Sequence, residues 1–217
     1  KCDSLEAQAF TALFIRWSPD VLVDTHAANG ADYAFAMTLI HTQPEMLGGA
    51  LGNYLIDELV PSIYARMKSI GFPLIPYVHL LDQIPEHGIK HTLETGRFSA
   101  GYAALHHTIG FLTESHMLKP FAERYAATHA SILIILDLAG EQRERIHALR
   151  AQAQAQARAA GERDLHWVID YQRPSYLEFL GYEAQFNPSV LGNYQRLSYD
   201  RSRPWVRPIP FYGRCIA

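Results

Sequence analysis

Two short apolar segments of the chain end abruptly in polar residues. Residues 21–26 (VLVDTH) and 108–114 (TIGFLTE) each begin as a β-branched or apolar run and finish on a histidine or a carboxylate. This pattern is typical of a buried strand whose carboxyl end opens at a surface. Residues 72–79 form another candidate strand, which Pro73 and Pro76 restrict to the edge of a sheet.

Between these runs, apolar residues recur every three or four positions, which predicts helices. The first predicted helix follows Ser4 and ends at Pro19, and its apolar stripe is expected to be buried. The next, over residues 44–70, is expected to kink near Pro61. A short helix is predicted over 99–107, and a long one over 120–161 with a break near Gly140. The stripe of the first helix consists of Phe10, Leu13, Phe14 and Trp17.

Strands that alternate with helices over residues 1–161 predict an α/β fold, a three-layer sandwich with a mainly parallel mixed sheet. After Gly161 the composition shifts to tyrosine, arginine and proline, so residues 162–217 are expected to form a β-rich, loop-rich extension. Ligands of such sheets bind beyond the carboxyl ends of the strands. His26 and Glu114 both fall there, which makes that edge the candidate site.

Composition and charge exclude several classes of protein. With 19 basic and 22 acidic residues the net charge is −3, which argues against a nucleic-acid partner. The longest apolar patch, residues 131–138, is too short to cross a membrane. Cys2 and Cys215 lie too far apart for a local metal knuckle, and they are either free thiols or one disulfide. Nucleotide-binding loops and a G-x-S-x-G elbow are absent from the sequence.

Four residues near the strand ends could carry chemistry. Strand alternation puts Asp24 and His26 on one face, where a neutral imidazole could bind zinc with a carboxylate close by. The alternative is a histidine that is simply hydrogen-bonded at a strand end. Glu114 at the mouth of an apolar strand has the desolvated setting of a general base, or else pairs with a nearby Arg or Lys. His116 shares the parity of Glu114 and could line the same cleft.

His91 and Glu94 have the H-x-x-E spacing that supplies zinc ligands in some peptidases. The match is weak, because a three-residue spacing arises easily by chance in a chain with 11 histidines. We therefore expect His91 and Glu94 to lie in a solvated loop.

Three longer segments resemble a known family. Residues 19–33 (PDVLVDTHAANGADY), 96–105 (GRFSAGYAAL) and 108–120 (TIGFLTESHMLKP) are similar to the zinc carboxypeptidases, the carboxypeptidase A-like metallopeptidases, and in particular to a bacterial branch. The resemblance implies hydrolysis of C-terminal peptide bonds with zinc as cofactor and a peptide as substrate. It also implies a periplasmic or secreted location.

The resemblance assigns roles to particular residues. It implies that His26 is the third zinc ligand and that Glu114 is the catalytic base. Zinc lowers the pKa of a bound water to about 7, and the glutamate takes the proton of that water. Four further residues are assigned to substrate binding: Asn29, Arg97, Tyr102 and His116.

The sequence also departs from the family pattern. In the family, an H-x-x-E pair and substrate-binding arginines precede the third histidine, whereas only 25 residues precede His26 here. His91 and Glu94 follow it, in the wrong order. We therefore interpret the chain as the C-terminal half of a catalytic domain plus an extension, inactive and unable to retain zinc alone. Two alternatives stay open: a non-catalytic module that binds peptides or cell-wall fragments, and an amidohydrolase or deacylase on the same scaffold.

Overall fold

The elements come from a computed structural model that describes residues 3–28, 30–162, 164 and 166–217. The α-helices are α1 Leu5–Trp17, α2 Pro44–Leu47, α3 Gly49–Tyr54, α4 Val60–Ser69, α5 Ser99–Leu105, α6 Phe121–Glu141 and α7 Arg143–Ala159. The strands are β1 Val21–Ala28, β2 Met37–His41, β3 Leu74–Pro76, β4 His79–Leu80, β5 Ile89–Lys90, β6 Ile109–His116, β7 Val168–Ile169, β8 Ser175–Pro188, β9 Gln195–Tyr212 and β10 Cys215–Ile216.

A four-stranded sheet in the order β1-β6-β2-β3 forms the centre of the molecule. β1 and β6 are parallel, β6 and β2 antiparallel, and β2 and β3 parallel. This mixed sheet confirms the α/β prediction. β3 lies at one edge, as its prolines require, and β1 lies at the other.

Helices cover both faces of this sheet because its strands are apolar on both sides. Ile109 and Phe111 of β6 belong to the main core, which they share with residues of α3, α4, α6 and α7. Leu112 points the other way and packs with Ala100 of α5. The alternation of successive side chains along β6 therefore separates a large helical layer from the smaller layer that carries α5.

The C-terminal β8–β9 hairpin joins the short strands β4 and β5 in a second sheet of order β4-β5-β9-β8. The β-rich extension is therefore confirmed. Phe179 and Trp205 of the hairpin pack with Tyr33 and Phe35, which precede β2. This second core fixes the extension to the carboxyl end of the central sheet.

The buried stripe predicted for α1 is wrong for most of its members. Phe14 is buried against the ring of Tyr102, at 5.2 Å between centroids. Phe10 is 42% exposed, Leu13 57% and Trp17 74%. The physical reason is position: α1 lies beside β1, the edge strand, and no other described element covers its outer side.

The helix predicted over 99–107 is present as α5, whereas the helix predicted over 44–70 is divided at Gly48 into α2 and α3. The long helix breaks at Gln142 between α6 and α7, next to the expected Gly140. A π-helical turn, Leu55–Leu59, joins α3 to α4 just before Pro61. None of the helices in the described residues is long and apolar enough to cross a membrane.

Two remaining expectations concern the loop and the cysteines. The loop expected to hold His91 and Glu94 is preceded by a 3-10 turn, Pro85–His87, and by the strand β5. Cys215 is buried, and Cys2, the other half of the possible disulfide, lies outside the described residues.

Candidate functional site

His26 and Glu114 meet at the carboxyl edge of the central sheet. They are cross-strand partners in the register of β1 and β6, so their side chains leave the sheet on the same face. Glu114 is buried at 8% exposure, whereas the His26 side chain is half exposed. The juxtaposition expected from two strands that end in polar residues is therefore present.

Asp24 orients the imidazole of His26. Its Oδ2 atom lies 3.0 Å from His26 Nε2, and the hydroxyl of Ser99 donates a hydrogen bond to the same carboxylate. Burial alone would raise the pKa of Asp24, but these hydrogen bonds outweigh it and hold the pKa below its usual value. An ionised Asp24 fixes the tautomer with the proton on Nε2, which leaves Nδ1 as the nitrogen able to bind a ligand.

Glu94 joins these residues, although the sequence analysis placed it in a solvated loop. It is 7% exposed, and its Oε2 accepts a hydrogen bond from the backbone N–H of Ala100 at 3.2 Å. A side chain at Gly101 would collide with the carbonyl oxygens of Glu94 and Thr95, so glycine allows the close approach of α5 to this loop. One feature of the sequence is consistent with this placement. Glu94 lies shortly before α5, so its carboxylate can reach the free N–H groups in the first turn of that helix.

We call Asp24, His26, Glu94 and Glu114 the site cluster. Burial raises the pKa of Glu114, and the neighbouring carboxylates of Glu94 and Asp24 raise it further, against the opposing effect of His26. Burial likewise raises the pKa of Glu94. Because three carboxyl groups share a partly dry site, the ionised Asp24 disfavours ionisation of Glu94 and Glu114.

A cavity of about 410 Å³ opens beside Asp24, between α1, β1 and the start of α5. Arg97 and Tyr102, both predicted to bind substrate, lie in its wall. Arg97 also stacks over the Phe98 ring at 5.7 Å, and no carboxylate in the described part of the chain forms a salt bridge with it. Asn29, the other predicted residue near His26, lies outside the described residues.

His116 does not join the site cluster, although it follows Glu114 by two residues. It is 1% exposed, and its Nε2 lies 3.3 Å from Oδ1 of Asp32. The guanidinium of Arg201, in β9, donates to the other oxygen of Asp32 at 2.7 Å. We call these three residues the latch. Because the His116 ring is enclosed by Asp32 and stacked on Tyr33, the structure does not support the predicted role in substrate binding.

His91 belongs neither to the site cluster nor to the latch. It is buried against His41, with ring centroids 4.7 Å apart, and each imidazole Nδ1 bonds to the carbonyl of the following residue. The solvated loop expected for His91 is therefore wrong. The His91 ring contacts His41, whereas the Glu94 carboxylate bonds to the backbone of Ala100. The two side chains therefore do not act as a pair.

The zinc implied by the family resemblance needs three protein ligands. Within the described residues, no group of three or more His, Cys, Asp or Glu side chains is arranged to hold a metal ion. His26 is the single imidazole in the site cluster. The described residues alone therefore do not fit a catalytic zinc site.

Comparison with known proteins yields no match for this chain among family models, curated proteins or solved structures. Function must therefore be argued from the site itself.

Proposed function

We propose that this chain carries the general-base part of a site that hydrolyses the C-terminal peptide bond of a peptide, in a zinc-dependent carboxypeptidase. One observation supports this above all: His26 and Glu114 are register partners at the carboxyl ends of two parallel strands, beside an open cavity. Parallel strands of α/β proteins present their catalytic groups at this edge.

Glu114 is the proton acceptor in this proposal. Its carboxylate takes a proton from water as the water oxygen bonds to the scissile carbonyl carbon. The C–N bond then breaks, and the same proton passes to the departing amine. A general base works best when its pKa approaches the working pH, and burial of Glu114 shifts its pKa in that direction.

The cavity suits the C-terminal residue of a peptide. Arg97 in its wall supplies a cation for the terminal carboxylate, in place of the family arginines that the sequence lacks. Phe10 and Phe98 offer apolar surface for the side chain of that residue. The expected substrate is therefore a peptide that ends in an apolar or aromatic residue.

His26 is one zinc ligand in this proposal, through Nδ1. A catalytic zinc site needs two further ligands, which the described residues do not supply.

The test uses the complete gene product that contains these 217 residues. Release of the C-terminal phenylalanine from an N-blocked dipeptide is measured together with zinc content. Glu114→Gln should lower kcat about 10²- to 10⁴-fold and keep zinc, because it removes only the proton acceptor. His26→Ala should lose zinc and activity together.

Two exposed residues provide matched controls, Glu178→Gln and His129→Ala, and both should behave like the parent. Near-parental turnover in Glu114→Gln would overturn the assigned role. Binding of the dipeptide without turnover in any variant would favour the peptide-binding module. Cleavage of the N-acyl bond in place of the C-terminal bond would favour the deacylase.

A further inference from the structure

The β8–β9 hairpin continues past the second core as a projecting arm, residues 183–200. Its strands pair from Glu183↔Asp200 to Pro188↔Gln195, beyond a register shift at Tyr182/Glu183. Three residues of β9, 201–203, have no partner in β8 at this shift. Arg201 is one of them, and its bond to Asp32 ties the base of the arm to the body of the molecule. A bulge of this kind turns the outer strands in a new direction.

The end of the arm is ordered and apolar. The Leu191 N–H donates to Ser189 Oγ at 3.1 Å, and the Ser189 N–H donates to the Tyr194 carbonyl at 3.0 Å, which closes the turn. Val190 is 97% exposed and Leu191 76%. Between Glu183 and Asp200 the only charged residue is Arg196. Two adjacent apolar side chains this exposed on a hydrogen-bonded turn are a candidate interaction surface.

A complementary feature lies on α1. Its uncovered outer side and the start of β1 enclose a groove of about 420 Å³. A cavity of roughly 150 Å³ already holds a benzene-sized group, so the groove has room for more than one aliphatic side chain. The groove is lined by Phe10, Leu13, Phe14, Trp17, Pro19 and Leu22.

We infer that the tip of one copy, Val190 and Leu191, docks into the α1 groove of a second copy. Both surfaces belong to the same chain, both are apolar, and the groove is large enough for the two side chains. Charge favours the same pairing. Arg196 is the charged residue nearest the tip, and Glu6 lies one helical turn before Phe10 on the face that bears the groove.

This contact would reach the candidate site. Phe10 and Leu22 line both the groove and the cavity beside Asp24, so a docked tip forms a wall next to that cavity. Reciprocal docking gives a closed dimer with two such contacts, whereas head-to-tail docking gives a ring or filament.

Sedimentation velocity of the 217-residue chain from about 1 to about 300 μM tests the proposal, because weak specific contacts have dissociation constants in this range. The parent should self-associate. Leu191→Asp in the tip and Leu13→Asp in the groove should each weaken association at least about 10-fold, as expected for a buried apolar anchor. Leu136→Asp, at an equally exposed leucine of α6, should not. Circular dichroism checks that each variant is folded.

Mixing the two variants distinguishes this contact from any other. A mixture of Leu191→Asp and Leu13→Asp retains one good tip and one good groove, so heterodimers should form although neither variant associates alone. Association that survives in Leu191→Asp, or a mixture that stays monomeric, would overturn the proposal. A monomeric parent whose tip binds phosphatidylcholine vesicles would also overturn it and would identify a lipid surface as the occupant.

Discussion

The site cluster and the latch lie at the end of one strand, β6, but handle charge in opposite ways. Glu114 faces two other carboxylates in a partly dry setting, and its pKa is raised. His116, two residues further, lies against Asp32, which Arg201 also binds. Carboxyl groups crowded together disfavour ionisation and leave a proton acceptor reactive, whereas the Asp32 carboxylate is neutralised by the Arg201 guanidinium and is chemically quiet. The comparison teaches that burial alone does not distinguish a functional group from a structural one.

The largest effect is expected from breaking the latch. Asp32→Ala leaves the enclosed His116 and the Arg201 guanidinium without their common partner. Leaving the buried His116 ring without its partner costs about 1 to 3 kcal/mol, and the half-exposed Arg201 adds little because water screens its charge. Chemical denaturation should show this decrease in the free energy of unfolding. Asp57→Ala, at an exposed aspartate, is the control, and an equal loss there would show that the latch is not special.

The next effect comes from His91 and is small at neutral pH, because it develops only as the solution is acidified. Burial and the neighbouring His41 lower the pKa of His91 to about 3, so the unfolded chain binds this proton more tightly than the native protein. Stability should therefore be lost as pH falls below about 6.5 towards 3, by up to roughly 1.4 kcal/mol per pH unit. His91→Gln should flatten this slope, whatever its effect at neutral pH. The exposed control His129→Gln should leave the slope unchanged, and an unaltered slope in His91→Gln would contradict the assignment.

The smallest effect is a gain in stability at the site cluster. Because the pKa of Glu114 is raised, the native protein holds this proton more tightly than the unfolded chain, and ionisation above the raised pKa costs stability. Glu114→Gln should therefore raise the free energy of unfolding at pH 7 by about 1 kcal/mol. The gain should vanish below the ordinary pKa of 4.5. Thermal denaturation at both pH values measures it, and Glu178→Gln should show no gain.

The parts of the fold that the sequence predicted are those with local causes. The apolar runs of β1 and β6 and their polar ends were sufficient to bring His26 beside Glu114, because parallel strands end at the same edge. The edge position of β3 followed from its prolines. Neither prediction depended on residues distant in the sequence.

The parts that the sequence did not predict depend on distant partners. His116 has the right parity for the site, but Asp32 and Arg201 determine what it contacts, and Arg201 lies in the extension. The position of Glu94 depends on the close approach of α5 to its loop. The spacing of apolar residues along the chain does not indicate this approach. The exposed stripe of α1 has the same pattern as a buried one, because amphipathicity predicts that an apolar face exists but does not identify what covers it.

The register shift at Tyr182/Glu183 makes the arm a module whose length can change independently of the body. All anchoring contacts of Arg201 lie on the near side of the paired outer strands. Deleting two residues from each outer strand keeps every side chain on its face, whereas deleting one reverses them. Insertions and deletions in steps of two are therefore the changes that homologues and engineered variants of this hairpin can accept without disturbing the second core.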